Sequence, residues 1–133
     1  MDTITTYRNI LKQAFSDYAR LRPSHGDIRL EVVLDETHDR YVLMHVGWDR
    51  GRRVSGDLLY VTLRDAKVHI EYDGMGYGIS DDLVARGIPA DHIVLTFLPE
   101  TPTLADYDRR EAQTKTSSSQ MKDAFRFAVA QGV

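Results

Sequence analysis

The sequence contains no cysteine, one tryptophan and four prolines in 133 residues. Without cysteine there is no disulfide framework and no thiolate nucleophile or ligand, as befits a reducing cytosol. No apolar run approaches the roughly 18 residues a membrane helix needs, so nothing is expected to span a bilayer. The opening residues, with Asp2 and an amphipathic pattern, do not read as a secretory signal peptide. Positive charge is not in excess either, since the net charge is −3 and the pI about 5.9. An autonomous nucleic-acid binder is normally basic, so any DNA contact is expected to be indirect, through a basic partner. Nucleophile and metal signatures are missing too. No GxSxG surrounds a serine, and His25, His38, His45, His69 and His92 form neither HxH nor HExxH.

What is present reads as an α+β domain. Ile4, Tyr7, Leu11, Ala14, Phe15 and Tyr18 recur at helical spacing and predict an N-terminal helix of about 17 residues, capped by Asp2 or Thr3. Arg22-Pro23-Ser24-His25-Gly26 should end it. Strand patterns follow. Ile28 to Leu34 alternates with polar residues and suits an edge, whereas Tyr41 to Trp48 is apolar on both faces and suits a central strand. Val54 to Leu63, with a bulge expected at Gly56, and Lys67 to Tyr72, where Val68, Ile70 and Tyr72 alternate with Lys67, His69 and Glu71 in a half-exposed strand, complete a meander. Beyond the glycines at 74 to 78, Ser80 is positioned to cap a short helix that stops at Gly87, and Ile93 to Phe97 forms a last extended segment. Pro99 to Gln120 reads as an exposed arm tethered by Leu104 and Tyr107. Met121, Ala124, Phe125, Ala128 and Val129 then predict a terminal helix.

Four groups bear on function. Gly74, Gly76 and Gly78 before a helix invite a phosphate cradle, but the spacing is not GxGxxG, and Asp81 and Asp82 would repel an anion. Asp35, Glu36, His38 and Asp39 share one turn, yet lack a calcium-loop spacing, and turn chemistry accounts for the aspartates. His45 reads as a hydrogen-bonded core residue. Arg50, Arg52 and Arg53 crowd a hairpin tip next to Trp48. Their guanidinium forks equally suit a partner's carboxylates or a solvated turn. Trp48 is expected to anchor the core, with a contact role beside the arginines as the alternative.

A long ordered series of segments resembles the XisI family, the controlling factors for excision of the fdxN element in cyanobacteria. It runs through YARL (Tyr18 to Leu21), GDI (Gly26 to Ile28), VLDETHDRYVLMHVGWD (Val33 to Asp49) and RRV (Arg52 to Val54). It continues in Asp65 to Ile70, Asp73-Gly74 and DDLVARGIPADHIVLTF (Asp81 to Phe97). Departures are Met75-Gly76-Tyr77-Gly78, where an acidic or polar residue follows in relatives, and Tyr60-Val61 and His69, where relatives have a histidine and a tryptophan. The family's tail joins Pro99-Glu100 closely to a sequence like Phe127-Ala128-Val129-Ala130, whereas here a Thr-, Ser-, Asp- and Arg-rich stretch separates them.

The resemblance implies a non-enzymatic accessory factor acting with an endonuclease-like XisH partner to license a recombinase. The resulting expectation is an α+β fold, an antiparallel sheet of four or five strands in meander order carrying the N-terminal helix and a second short helix. Residues 1–98 should form the core of one domain and residues 99–133 its arm and terminal helix. No catalytic, cofactor or metal site is expected. Arg50, Arg52, Arg53 and Trp48 are the expected partner contacts, in a cytoplasmic homodimer. The rival readings are an oligomeric sensor for a small anion and a hydrolase built around Asp35 to Asp39 and His45.

Overall fold

The computed structural model describes residues 2–21, 26–76 and 78–114. Helix α1 (Thr3–Tyr18) starts where Asp2 accepts the Thr5 backbone N–H at 2.7 Å, satisfying one of the donors a helix start leaves unpaired. Its buried stripe is Tyr7, Leu11, Ala14, Phe15 and Tyr18. Ile4, expected in that stripe, is 41% exposed, because burial begins one turn later at Tyr7. The expected break at 22–25 lies outside the described residues.

Strands β1 (Asp27–Asp35), β2 (Arg40–Asp49), β3 (Arg52–Arg64) and β4 (Lys67–Asp73) pair antiparallel in chain order. Period-2 alternation sends Tyr41 and Leu43 of β2 into the core with Leu59, Val61 and Ile70. Val42, Met44, Val46 and Trp48 therefore point to the opposite face.

Two irregularities reset that alternation. Leu43 faces Leu59 while Met44 faces Asp57, so Leu58 is the extra residue of the first bulge, not Gly56, which pairs His45 in register. Tyr60 faces Tyr72 while Val61 faces Ile70, which leaves Glu71 as the extra residue in β4. Val68 and Ile70 consequently point inward, but Tyr72 is turned to the far face and is 49% exposed. Strict alternation places Tyr72 inside; the bulge puts it outside.

Strand β5 (Ile93–Leu95) joins β4 in parallel, departing from a purely antiparallel meander. A parallel neighbour requires a crossover, supplied by α2 (Ile79–Ala85) and a 3-10 turn at Ala90–His92. Gly78, in the left-handed region at φ 66°, occupies the start of α2 without a side-chain cap, so Ser80 lies inside the helix instead of capping it. The end is as expected at Gly87. The Gly87 N–H bonds the Val84 carbonyl, the Ile88 N–H bonds the Leu83 carbonyl, and Gly87 takes φ 116°. That pair of bonds is a Schellman closure, sealed by buried Leu83 and Ile88.

The segment expected as an exposed arm contains helix α3 (Leu104–Thr114). Thr103 Oγ1 accepts the Asp106 N–H at 3.1 Å, and Leu104 is only 4% exposed, with Tyr107 packed beside the core. Two apolar side chains one turn apart suffice to dock a helix whose remaining surface is polar. The expected terminal helix over 121–129 lies outside the described residues. Among the described residues no helix is long and apolar enough to cross a membrane.

The β3–β4 turn contains two non-glycine residues in the left-handed region, Asp65 at φ 55° and Ala66 at φ 57°. A two-residue hairpin loop needs that geometry to match strand twist. An alanine there carries about 1–2 kcal/mol of backbone strain, which exceeds the ~0.5–1 kcal/mol of extra chain entropy a glycine loses on folding. Ala66→Gly should therefore raise stability by several tenths of a kcal/mol in denaturant melts, and a loss of stability would contradict the turn geometry.

Candidate functional site

The β2–β3 hairpin is closed by the Asp49 and Arg52 pair, with Trp48 and Arg53 facing each other one step back. Its two loop residues, Arg50 at φ 53° and Gly51 at φ 79°, both lie in the left-handed region, so the sharp tip directs the Arg50 side chain away from the sheet. Arg53 stacks its guanidinium 5.5 Å from the Trp48 ring centroid. Such a pair is worth about 0.5–1 kcal/mol at an exposed position and favours the stacked arrangement of the two groups.

Trp48 is 52% exposed, which corrects its expected role as a core anchor. It belongs to the face of β2 opposite α1, and the helices bury their apolar residues on the other side of the sheet. Arg50, Arg52 and Arg53 are exposed as well. The other arginines of the described residues are largely tied to carboxylates: Arg8 to Asp39, Arg29 to Glu31, Arg64 to Glu71, and Arg86 to Asp17 and Asp82. Among the described residues the hairpin arginines have no such ion pair. The tip thus combines three uncompensated cations with a flat aromatic surface, a composition suited to gripping carboxylates or phosphates.

The other candidate groups are occupied by structural tasks. Asp35 accepts the Thr37 and His38 backbone N–H groups and holds the His38 ring at 2.8 Å. Asp39 takes a bidentate Arg8 at 2.9 and 3.0 Å and the Tyr41 hydroxyl at 2.8 Å. Arg8 holds the Asp39 carboxyl below the usual carboxylate range. Among the described residues no three His, Asp or Glu side chains gather to hold a metal ion. In the glycine loop, a Cβ on Gly74 would stand 2.7 Å from the Tyr72 hydroxyl oxygen, so that glycine leaves room for the tip of the Tyr72 side chain. His45 is half-buried against Gly56, where an added Cβ would come within 3.1 Å of Nε2, and is less enclosed than expected.

Two features carry no local signal in the sequence. Arg86 bridges Asp17 of α1 and Asp82 of α2 at 3.0 and 2.8 Å, and the Tyr18 hydroxyl donates to Asp82. Burial opposes ionisation of Asp82, yet the bonds from Tyr18 and Arg86 outweigh it and lower its pKa, while burial and Asp82 together push the Tyr18 phenol up. His69 has both ring nitrogens buried with no hydrogen bond of normal geometry among the described residues, and its pKa is lowered, first by burial and then by the charge of Arg64.

Among the described residues, three helices on a five-stranded sheet, with a cationic and aromatic hairpin tip, define an α+β protein. The chain belongs to the XisI family: the family model described as XisI protein matches residues 1–108. A solved structure described as fdxN element excision controlling factor XisI from Anabaena variabilis ATCC 29413 is 32% identical. It aligns over 72% of this chain and 87% of its own length, with a TM-score of 0.61. A XisI-like protein from the same organism, 24% identical, shares the fold at a TM-score of 0.66 over 71% of this chain and 87% of its own. No curated protein matches the chain.

Proposed function

We propose that this protein is a non-enzymatic controlling factor for the excision of a DNA element, acting by binding a XisH-like nuclease-fold partner through Arg50, Arg52, Arg53 and Trp48. The observation that carries the reading is the hairpin tip, with three exposed arginines that have no carboxylate partner among the described residues, beside a half-exposed tryptophan. Arginine and tryptophan are enriched where partner surfaces bind most strongly. The family relationship and the controlling-factor description of the 32% identical Anabaena structure supply the process.

On this reading DNA is reached through the partner, consistent with a net charge of −3, and the protein works in the cytoplasm. It works as a homodimer paired along β1, the outermost strand of the sheet, whose free edge presents Val33 at 48% and Leu34 at 36% exposure.

Co-expression with the XisH-like protein of the same genome, followed by affinity capture and size-exclusion chromatography with light scattering, tests this. A stoichiometric complex is expected. Replacing Arg50, Arg52 and Arg53 together by alanine should weaken it at least tenfold, about 1.4 kcal/mol, while leaving the melting temperature within a few degrees. Separate elution of the two proteins at micromolar concentration removes the partner from the proposal. Undiminished binding by the triple variant removes the hairpin.

A further inference from the structure

The helices α1, α2 and α3 bury their apolar residues with Tyr41 and Leu43, so among the described residues no helix packs on the opposite sheet face. On that face β2 and β3 present three successive pairs in register, Met44 with Asp57, Val46 with Ser55 and Trp48 with Arg53. Val42, Tyr60 and Tyr72, opposed across β2, β3 and β4, continue the apolar part. A contiguous band of this kind marks a contact surface more often than a solvated one.

The face is complementary to itself. Arg53 and Asp57 are both exposed, and among the described residues neither has an ion pair. They lie four residues apart on one strand, roughly 13 Å at about 3.3 Å per residue, beyond the reach of an ion pair within the chain. Arg53 is moreover stacked on Trp48. Trp48 and Met44 repeat the four-residue separation on β2, and the Val46 and Ser55 pair lies midway in both cases. A two-fold axis parallel to the sheet, crossing the strands at the level of Val46 and Ser55, therefore lays β2 and β3 antiparallel on the same strands of a second copy. Arg53 then stands over Asp57 of the second copy, Trp48 stands over Met44 of the second copy, and each contact is made twice. Stacked sheets lie about 10 Å apart, a gap these long side chains fill from both sides. The guanidinium gains a charge-assisted hydrogen bond to the carboxylate, the indole ring gains a thioether contact, and the short Val46 and Ser55 side chains sit at the axis. On β1, at the rim, Arg29 keeps its own Glu31 at 2.9 Å. One patch meeting itself in this way is the pattern of an isologous interface.

We propose that the open sheet face binds a second copy of this chain, sheet on sheet, about a two-fold axis at Val46 and Ser55, with Arg53 of each copy paired to Asp57 of the other. The contact leaves the β1 edge free, so a β1-paired dimer is able to stack on another. Trp48 and Arg53 also belong to the hairpin surface proposed above for the XisH-like protein, so on that reading the second copy and the XisH-like protein exclude one another. The test uses the full chain alone, and its failure leaves the XisH-like partner standing. Arg53→Asp and Asp57→Arg each set like charges against each other across the axis, and each should halve the mass that light scattering gives for the wild type at micromolar concentration, whatever the state of the β1 edge. An equimolar mixture of the two variants should recover the wild-type mass, because in a mixed pair opposite charges face each other at both contacts. That recovery also shows that both variants are folded. The wild-type mass in either single variant overturns the proposal. So does a halved mass that persists in the mixture, since the loss is then not one of charge facing charge between copies.

Discussion

Gly47→Ala is expected to lower stability by about 3 kcal/mol or more, a fall in melting temperature on the order of 10 °C. Gly47 pairs with Ile28 across β1 and β2 and adopts φ 153°. A Cβ built there meets the Asp27 carbonyl oxygen at 2.0 Å and the Ile28 Cα at 2.7 Å. Both obstacles are backbone, so no rotamer change relieves them, and β1 must move away from β2 and surrender ladder hydrogen bonds. Gly51, at φ 79° on the hairpin tip, would give an added Cβ no neighbour within 4 Å, so Gly51→Ala should cost only the left-handed strain, about 1–2 kcal/mol. Thermal unfolding of the two variants side by side checks the contrast. Equal losses would mean that backbone conformation, and not the close approach of β1, governs Gly47.

Phe15→Ala is the second large effect, with an expected loss of about 3–5 kcal/mol. Phe15 is fully buried, and its ring lies 6.0 Å from that of Tyr18 and 6.2 Å from that of Tyr41. The truncation removes both aromatic contacts and opens a cavity where α1 meets β2. Ile4, on the same helix but 41% exposed, provides the comparison, and Ile4→Ala should change stability by no more than about 0.5 kcal/mol. Urea titrations of the two variants decide it. A Phe15 loss below about 1 kcal/mol would show that α1 is not anchored through this ring.

The elements legible in the sequence were those with sustained local periodicity. The stripe from Tyr7 to Tyr18, the alternation in β1 and β2, and the Gly87 stop all follow from rules that need only neighbouring residues. The misread residues depended on something distant. Ser80 resembles a cap, but the turn at Gly78 starts α2 earlier. Gly56 resembles a bulge, but the extra residue is Leu58, whose carbonyl accepts the Gly74 N–H at 2.7 Å. Leu104 and Tyr107 look too sparse to hold a helix, yet the core lies within their reach. At the candidate site, the arginines and the tight turn were visible as residues and spacing, whereas the exposure of Trp48 and its stacking with Arg53 were not.

The sequence by itself determined the order of α1, β1 to β4 and α2, the meander of β1 to β4, the cationic hairpin tip and the absence of thiol chemistry, because each is set by side-chain type and short-range spacing. Tertiary structure alone decided which face of the sheet the helices cover. Alternation divides β2 into two apolar sets, Tyr41 with Leu43 and Val42 with Trp48, and both sets gain equally from burial when read as a string. Only packing of α1, α2 and α3 on one side buries the first and leaves the second open. The Glu71 bulge then adds Tyr72 to the open side, since one extra residue reverses the direction of every side chain beyond it.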